Sequence, residues 1–264
     1  MAWRAYAAAF KRSWINMLEY RSETVIRILI AMISMVSMFY LWNDVFAGRA
    51  VLAGYTKPQI VTYYLLVSYI FASLFAAVPV SEEIREGRIT ASLLRPTNYL
   101  WFQYWQSMAR RVFRFVVGFP VLILLFWLLH DYLYFVTDPV AYVVLAVACL
   151  GAINILFLVD LFYNLFEFWV TSVDSWSMIV NGLVMFFAGT MIPLTLLPPY
   201  IKTIADWLPF RYTGTFLIDG FMGRLSWGEI GMGFLWQTVW TLVFVALVTL
   251  VWRRGLKRYE AYGN

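Results

Sequence analysis

The chain has 264 residues, 62% of them hydrophobic and only 13% charged, with a net charge of +5 and a mean hydropathy of +0.72. A soluble domain carries roughly a quarter charged residues, so water is excluded as the main solvent and an integral membrane protein is expected. One cysteine, Cys149, and one histidine, His130, exclude an internal disulfide and leave no paired thiols for zinc, so no metal site is expected.

The first element is a helix over 3–18, where Trp3, Tyr6, Ala7, Phe10, Trp14 and Met17 recur at the spacing of one helical stripe. Arg12, Asn16 and Glu19 fall on the far side. The pattern fits a helix lying in the headgroup layer, or one packing on another part of the protein, and we bound this interfacial segment at 1–22. Lys11 and Arg12 interrupt the apolar run that a signal peptide needs, so the segment is expected to be retained.

A bilayer core needs about 20 apolar residues as helix. Six blocks qualify, at 25–46, 59–80, 112–130, 140–167, 176–197 and 232–252, within a single all-α transmembrane domain over 1–264. Arg27 near the start of the first block has Glu23 four residues earlier as an interfacial partner. Asp138 and Pro139 supply a cap and a first turn for the fourth.

Lysine and arginine set the orientation. Arg4, Lys11, Arg12 and Arg21 precede the first span, Arg85, Arg88, Arg95, Arg110 and Arg111 lie between the second and third, and Arg253, Arg254, Lys257 and Arg258 follow the sixth. The other side has Arg49, Lys57, Lys202, Arg211 and Arg224. Both termini and the loop between spans two and three are therefore expected in the cytoplasm.

That loop holds "EEIREGRITASLLRP" at 82–96, six charges in an apolar chain. Ser81 is placed to cap a short helix, with Glu82 and Glu83 in its first turn. Gly87 ends that helix, and a second runs from Arg88 to Leu94 before Pro96 stops it. Ile84, Ile89, Leu93 and Leu94, ringed by charge, compose a docking surface or a helix lying on the membrane.

In the fourth span Asp160, Asn164, Glu167, Thr171 and Asp174 fall on one helical stripe. A carboxylate there is costly against lipid, so the stripe lines a substrate path or makes hydrogen bonds between helices. An ion-coupled secondary transporter would use Asp160 and Glu167. Over 193–231 the four prolines of "IPLTLLPPYIKTIADWLPF" break any continuous span, and short helices dipping into the outer leaflet are expected. No H-E-x-x-H and no G-x-S-x-G occurs, which removes the two commonest intramembrane protease designs.

"SEEIREGRITASLLRPTNY" resembles the cytoplasmic coupling segment of ABC-2-type ABC transporter permeases. "GTMIPLTLLPPYIKTIADWLPFRYTGTFLIDGFMG" resembles the proline-rich element that the same family carries between spans five and six. The resemblance covers the whole chain and is closer to the bacterial six-span permeases of this size. It implies a transport subunit, not an enzyme, of a bacterial plasma-membrane exporter. Such a subunit pairs with a second permease, a copy or a relative, and with a cytoplasmic ABC ATPase dimer. ATP and Mg2+ belong to that ATPase; this chain itself takes no cofactor and no nucleic acid. No G-x-x-x-x-G-K-[ST] occurs here, in keeping with ATP hydrolysis by a partner.

The resemblance places the ATPase contact on Glu82, Glu83, Ile84, Arg85, Glu86, Gly87, Arg88, Leu93, Leu94 and Arg95. It places the path between permeases, along spans one, two and five. Candidate lining residues are Phe39, Asn43, Phe71, Asp160, Asn164 and Asn181, with Gly182 and Gly189 allowing close helix approach. The implied cargo is amphiphilic or lipid-like.

Overall fold

A computed structural model describes residues 2–19, 21–94 and 97–262, with backbone alone at 2–5, 19, 21–29, 31–32 and 260–262. Helix α1 (Ala2–Glu19) lies on the first half of α6 (Tyr99–Leu128). Its inward face is Tyr6, Ala9, Phe10, Trp14 and Met17, close to the expected stripe, except that Ala7 is exposed and Ala9 is buried in its place. Trp14 meets Phe113 edge-on at 5.1 Å. The apolar stripe is thus covered by the same chain, while Ile15 and Leu18 stay exposed.

Helix α2 (Arg21–Val45) follows; the expected Glu23–Arg27 pair lies outside the described side chains. A hairpin of β1 (Val51–Leu52) and β2 (Tyr55–Thr56) is the one departure from an all-α architecture among the described residues. Its turn residues Ala53 and Gly54 both have positive φ, 48° and 79°, which matches the twist that two-residue hairpins require. Helix α3 (Lys57–Leu74) starts on a capping box of Thr56 and Gln59 and stops at Leu74, after which 75–78 has no regular structure.

Two short helices come next, α4 (Val80–Arg85) and α5 (Ile89–Leu93). The expected Ser81 cap is incorrect, because the helix already begins at Val80 with Pro79 in the cap position. Gly87 turns the chain between the two helices with φ +71°, as expected. Helix α6 begins well before the expected 112, because the Asn98 side chain caps it by accepting from the Trp101 amide at 3.2 Å.

Helix α7 (Pro139–Asn164) is capped by Asp138, which accepts from the Val140 amide at 2.9 Å. A tighter 3₁₀ turn, Leu165–Phe168, extends it. Helix α8 (Asp174–Phe187) has 14 residues, a rise of about 21 Å. The apolar run 176–197 therefore does not form one helix: Gly189, at φ +78°, turns the chain, and Pro193 follows. Short helices α9 (Pro199–Trp207) and α10 (Thr215–Phe221) lead to α11 (Trp227–Tyr262).

Among the described residues, three helical segments are long and apolar enough to cross a membrane: Tyr99–Leu128, Pro139–Phe168 and Trp227–Tyr259. Half of the apolar window of the second is buried, against 17% and 11% for the other two, so α7 is the central post. It packs against α11 and α10. Gly151 admits the Gln237 side chain of α11, since a Cβ there would fall 2.2 Å from Gln237 Oε1.

Candidate functional site

The chain leaving α3 carries terminal carbonyls that have no partner within the helix. Arg111 of α6, itself buried, donates Nε to the Leu74 carbonyl at 2.6 Å. Arg114 donates to the Phe75 carbonyl, and Ser107 accepts from Arg111. Asp160 of α7 grips the other end of the linker, accepting from the Val78 amide at 2.6 Å. Its remaining oxygen accepts from the Tyr163 hydroxyl and from Asn164 Nδ2. Arg111 and Arg110 supply the compensating positive charge. A buried charge without such partners costs several kcal/mol, so the carboxylate and the guanidinium hold the linker together.

Helices α4 and α5 hang from this linker. Glu83 accepts from the Tyr99 hydroxyl at 2.7 Å and from Gln103 Nε2 at 3.1 Å, which ties α4 to the start of α6. Arg85 pairs with Asp174 at 3.0 Å and lies 3.7 Å from Glu167. Glu167 also accepts from the Val173 amide at 2.9 Å, so the entry to α8 is fixed. The Ser172 hydroxyl and Arg85 hold the Asp174 carboxyl below its ordinary range. On α5, the Thr90 hydroxyl lies 2.8 Å from that of Tyr259, on the last turns of α11. Tyr99 and Trp252 stack at 5.1 Å beside it.

Among the residues expected to meet an ATPase, Glu82, Arg85, Glu86, Gly87, Arg88, Leu93 and Leu94 are exposed. Arg88 pairs with Glu86 at 2.5 Å and reaches Glu82 at 3.6 Å. Ile84 corrects the expectation: with Ile89 it is buried in the core of the chain, so the outward apolar surface reduces to Leu93 and Leu94, the latter 83% exposed. The helix pair has one face toward the bundle, and Ile84 and Ile89 occupy it. Arg95 lies outside the described residues.

The candidate path residues do not come together. Phe39 packs edge-on to Tyr132 at 5.2 Å, and Asn43 accepts from Lys57 Nζ at 2.6 Å near the hairpin. Phe71 is buried and stacks on Phe75, and Asp160 and Asn164 are buried in the linker clamp, so none of the three meets an open surface. Asn181 stands by the Tyr163 hydroxyl. The single stripe to Asp174 is also incorrect. Helix α7 and its 3₁₀ extension end at Phe168, so Thr171 and Asp174 lie beyond the helix that carries Asp160, Asn164 and Glu167. Gly182 has nothing within 4 Å of a built Cβ, so it supports no close helix approach within the chain.

The opposite end of the bundle is fastened around Gly189, whose absent side chain admits the Tyr63 and Thr215 hydroxyls, by residues that otherwise carried no expectation. The Tyr63 hydroxyl donates to the Gly189 carbonyl at 2.9 Å and lies 3.0 Å from Thr215 Oγ1. The Thr215 amide donates to the Ala188 carbonyl at 2.7 Å, and Tyr64 donates to Met191 at 2.7 Å. Tyr55 donates to Asp219 at 2.5 Å while Arg224 lies over the Tyr55 ring at 3.5 Å. Burial raises the Asp219 carboxyl above its usual range and the Tyr55 phenol above its own. Gln237 donates to the Ala148 and Tyr212 carbonyls at 2.9 and 2.8 Å. About 33 Å of α11 separates Gln237 from Tyr259. The available signal was a run of tyrosines, Tyr55, Tyr63 and Tyr64, in an apolar segment, whose hydroxyls need partners when buried.

No curated protein and no solved structure matches the chain. A sequence profile of the family described as ABC-2 family transporter protein matches residues 31–263. From within α2 to the end of α11, that match makes the chain a member of the ABC-2 transporter family, a membrane-embedded permease component of an ABC-type transport system.

Proposed function

We propose that this chain is the permease of an ABC exporter in a bacterial inner membrane, crossing six times through α2, α3, α6, α7, α8 and α11. Both termini and the α4–α5 pair face the cytoplasm, the side richer in Lys and Arg. It works with a second permease and with an ATPase dimer that carries ATP and Mg2+. The observation that carries this reading is the position of α4 and α5 at the helix ends on one side. Through Val78, Glu83, Arg85 and Thr90 the segment engages α7, α6, α8 and α11. A push on so small a unit reaches four helices at once.

The ATPase contact falls on Leu93, Leu94, Glu82, Glu86, Gly87, Arg88 and the adjoining Arg95, while Glu83 and Arg85 pass the motion inward and Ile84 seats the unit. Cargo moves between permeases along exposed faces of α2 and α8, where Ile33, Tyr40, Met178 and Ile179 lie uncovered and Phe39, Asn43 and Asn181 are close by. The use of Asp160 as an ion site is disfavoured, because its oxygens already accept from Val78, Tyr163 and Asn164. Purification in mild detergent with mass spectrometry of co-purifying chains tests the proposal. A stoichiometric P-loop ATPase is expected, and its reproducible absence from an intact sample overturns it.

A further inference from the structure

Between α9 and the first turns of α11 lies an open cleft of about 340 Å³, within the size range of small-molecule sites. Trp207, Tyr212 and Trp236 wall it, with Asp206, Arg211 and Glu229 as its charged lining. Trp207 meets Trp236 edge-on at 5.5 Å, and Tyr212 stacks on Trp236 at 6.4 Å. Arg211 and Asp206 form an ion pair and neutralise one another. Glu229 is oriented by accepting from the Ser226 amide and hydroxyl, both at 2.8 Å, and it also feels the charges of Arg211 and Lys202. Gly233 lets the Phe216 ring close the inner end, since a Cβ there would lie 2.0 Å from that ring.

Indole and phenol faces together with the Glu229 carboxylate attract an organic cation more than a neutral or anionic group. A track for an alkyl chain leaves the same cleft. Met232 on its lining, then Leu235, Val239 and Leu242 along α11, are all exposed and follow one face of the helix. We infer that this cleft binds an amphiphile bearing an ammonium group, the cation among Trp207, Tyr212, Trp236 and Glu229 and the alkyl chain along α11. That this ligand is cargo, or a lipid met on the way out, rests on the exporter reading; the binding itself does not.

The test is equilibrium dialysis of radiolabelled octyltrimethylammonium against the full-length chain in uncharged maltoside micelles. Saturable binding is expected, about tenfold tighter than for the isostere with carbon in place of nitrogen. Glu229→Gln, which keeps an oxygen to cap Ser226, should weaken it about tenfold, as should Trp236→Leu, with Trp236→Phe as the milder variant if leucine disturbs folding. Equal binding of the cation and its carbon isostere, or unchanged binding in Glu229→Gln and both Trp236 variants, overturns the inference. Competition by octylphosphocholine as strong as by the free cation identifies a lipid headgroup as the natural source; competition tenfold weaker identifies a free organic cation. Because no ATPase enters the measurement, its failure leaves the permease assignment intact, and loss of the ATPase partner leaves the binding result intact.

Discussion

At the α4–α5 end, the backbone that leaves α3 is held by charges, Arg111 on the Leu74 carbonyl and Asp160 on the Val78 amide. At the opposite end, the backbone that leaves α8 is held by neutral hydroxyls, Tyr63 on the Gly189 carbonyl and Thr215 on the Ala188 carbonyl. Both solve one problem, since buried irregular backbone must find its hydrogen bonds within the protein. The solutions differ in reach. Paired charges act over several ångströms and tie the linker to α6 and α7 together, whereas hydroxyl bonds are short and fix one local geometry. The α4–α5 end also keeps an exposed rim of charge and two outward leucines, while the tyrosine contacts of the other end are buried.

The largest effect should come from breaking the charged clamp. Asp160→Leu leaves the buried guanidinium groups uncompensated and is expected to lower stability by about 3–5 kcal/mol, read as an earlier midpoint in detergent-titrated unfolding. Asp160→Asn, which keeps an acceptor, should assemble and transport nearly as the parent does. Full loss of transport in an intact Asp160→Asn protein would give this carboxylate a role in the path.

Next is a contrast within the α4–α5 segment. Ile84→Asp places a charge in the core and should cost about 3 kcal/mol, whereas Leu94→Asp should leave the unfolding midpoint unchanged and abolish ATPase co-purification. If the two variants behave alike, the division of this segment into an inward and an outward face is wrong. At the opposite end, Gly189→Ala forces a side chain into positive φ and sets its Cβ 2.0 Å from Thr215 Oγ1; a loss of about 2 kcal/mol is expected. Tyr63→Phe removes only hydroxyl bonds, for about 1 kcal/mol in the same assay.

The smallest effect concerns pH. The folded Asp174 carboxyl lies below its ordinary range, so its contribution is present above the unfolded value of about 3.9 and is lost only as pH falls through the lower folded value. The stability contributed by the Arg85–Asp174 contact, read as the unfolding midpoint, should therefore be flat from about pH 5 to pH 8. A pH step in that window that persists in Asp174→Asn belongs to another group; one that vanishes contradicts this contact geometry.

Much of the architecture was legible because its causes are local. Asp138 caps the helix it precedes, Gly87 turns where only glycine is at ease, and the scarcity of charge demands lipid. The limits of the reading are equally specific. The apolar run 176–197 looked like one continuous helix because composition does not register that Gly189 must turn to meet Tyr63. The ring of charge around Ile84 looked like an exposed surface because a short helix pair gives no sign of which face the bundle covers.

What the sequence by itself determined is the solvent, the helical class, the polar segment between α3 and α6 and the proline-broken element before α11. These rest on composition and on interactions within a few residues. Only the tertiary structure decided which carbonyls Arg111 and Tyr63 would cap, why Asp160 tolerates burial, and which side of α4 faces out. The partners responsible lie far along the chain, 37 residues for Arg111 and Leu74 and 164 for Tyr55 and Asp219. No local pattern encodes a hydrogen bond across that distance; packing α6, α7 and α11 together creates it.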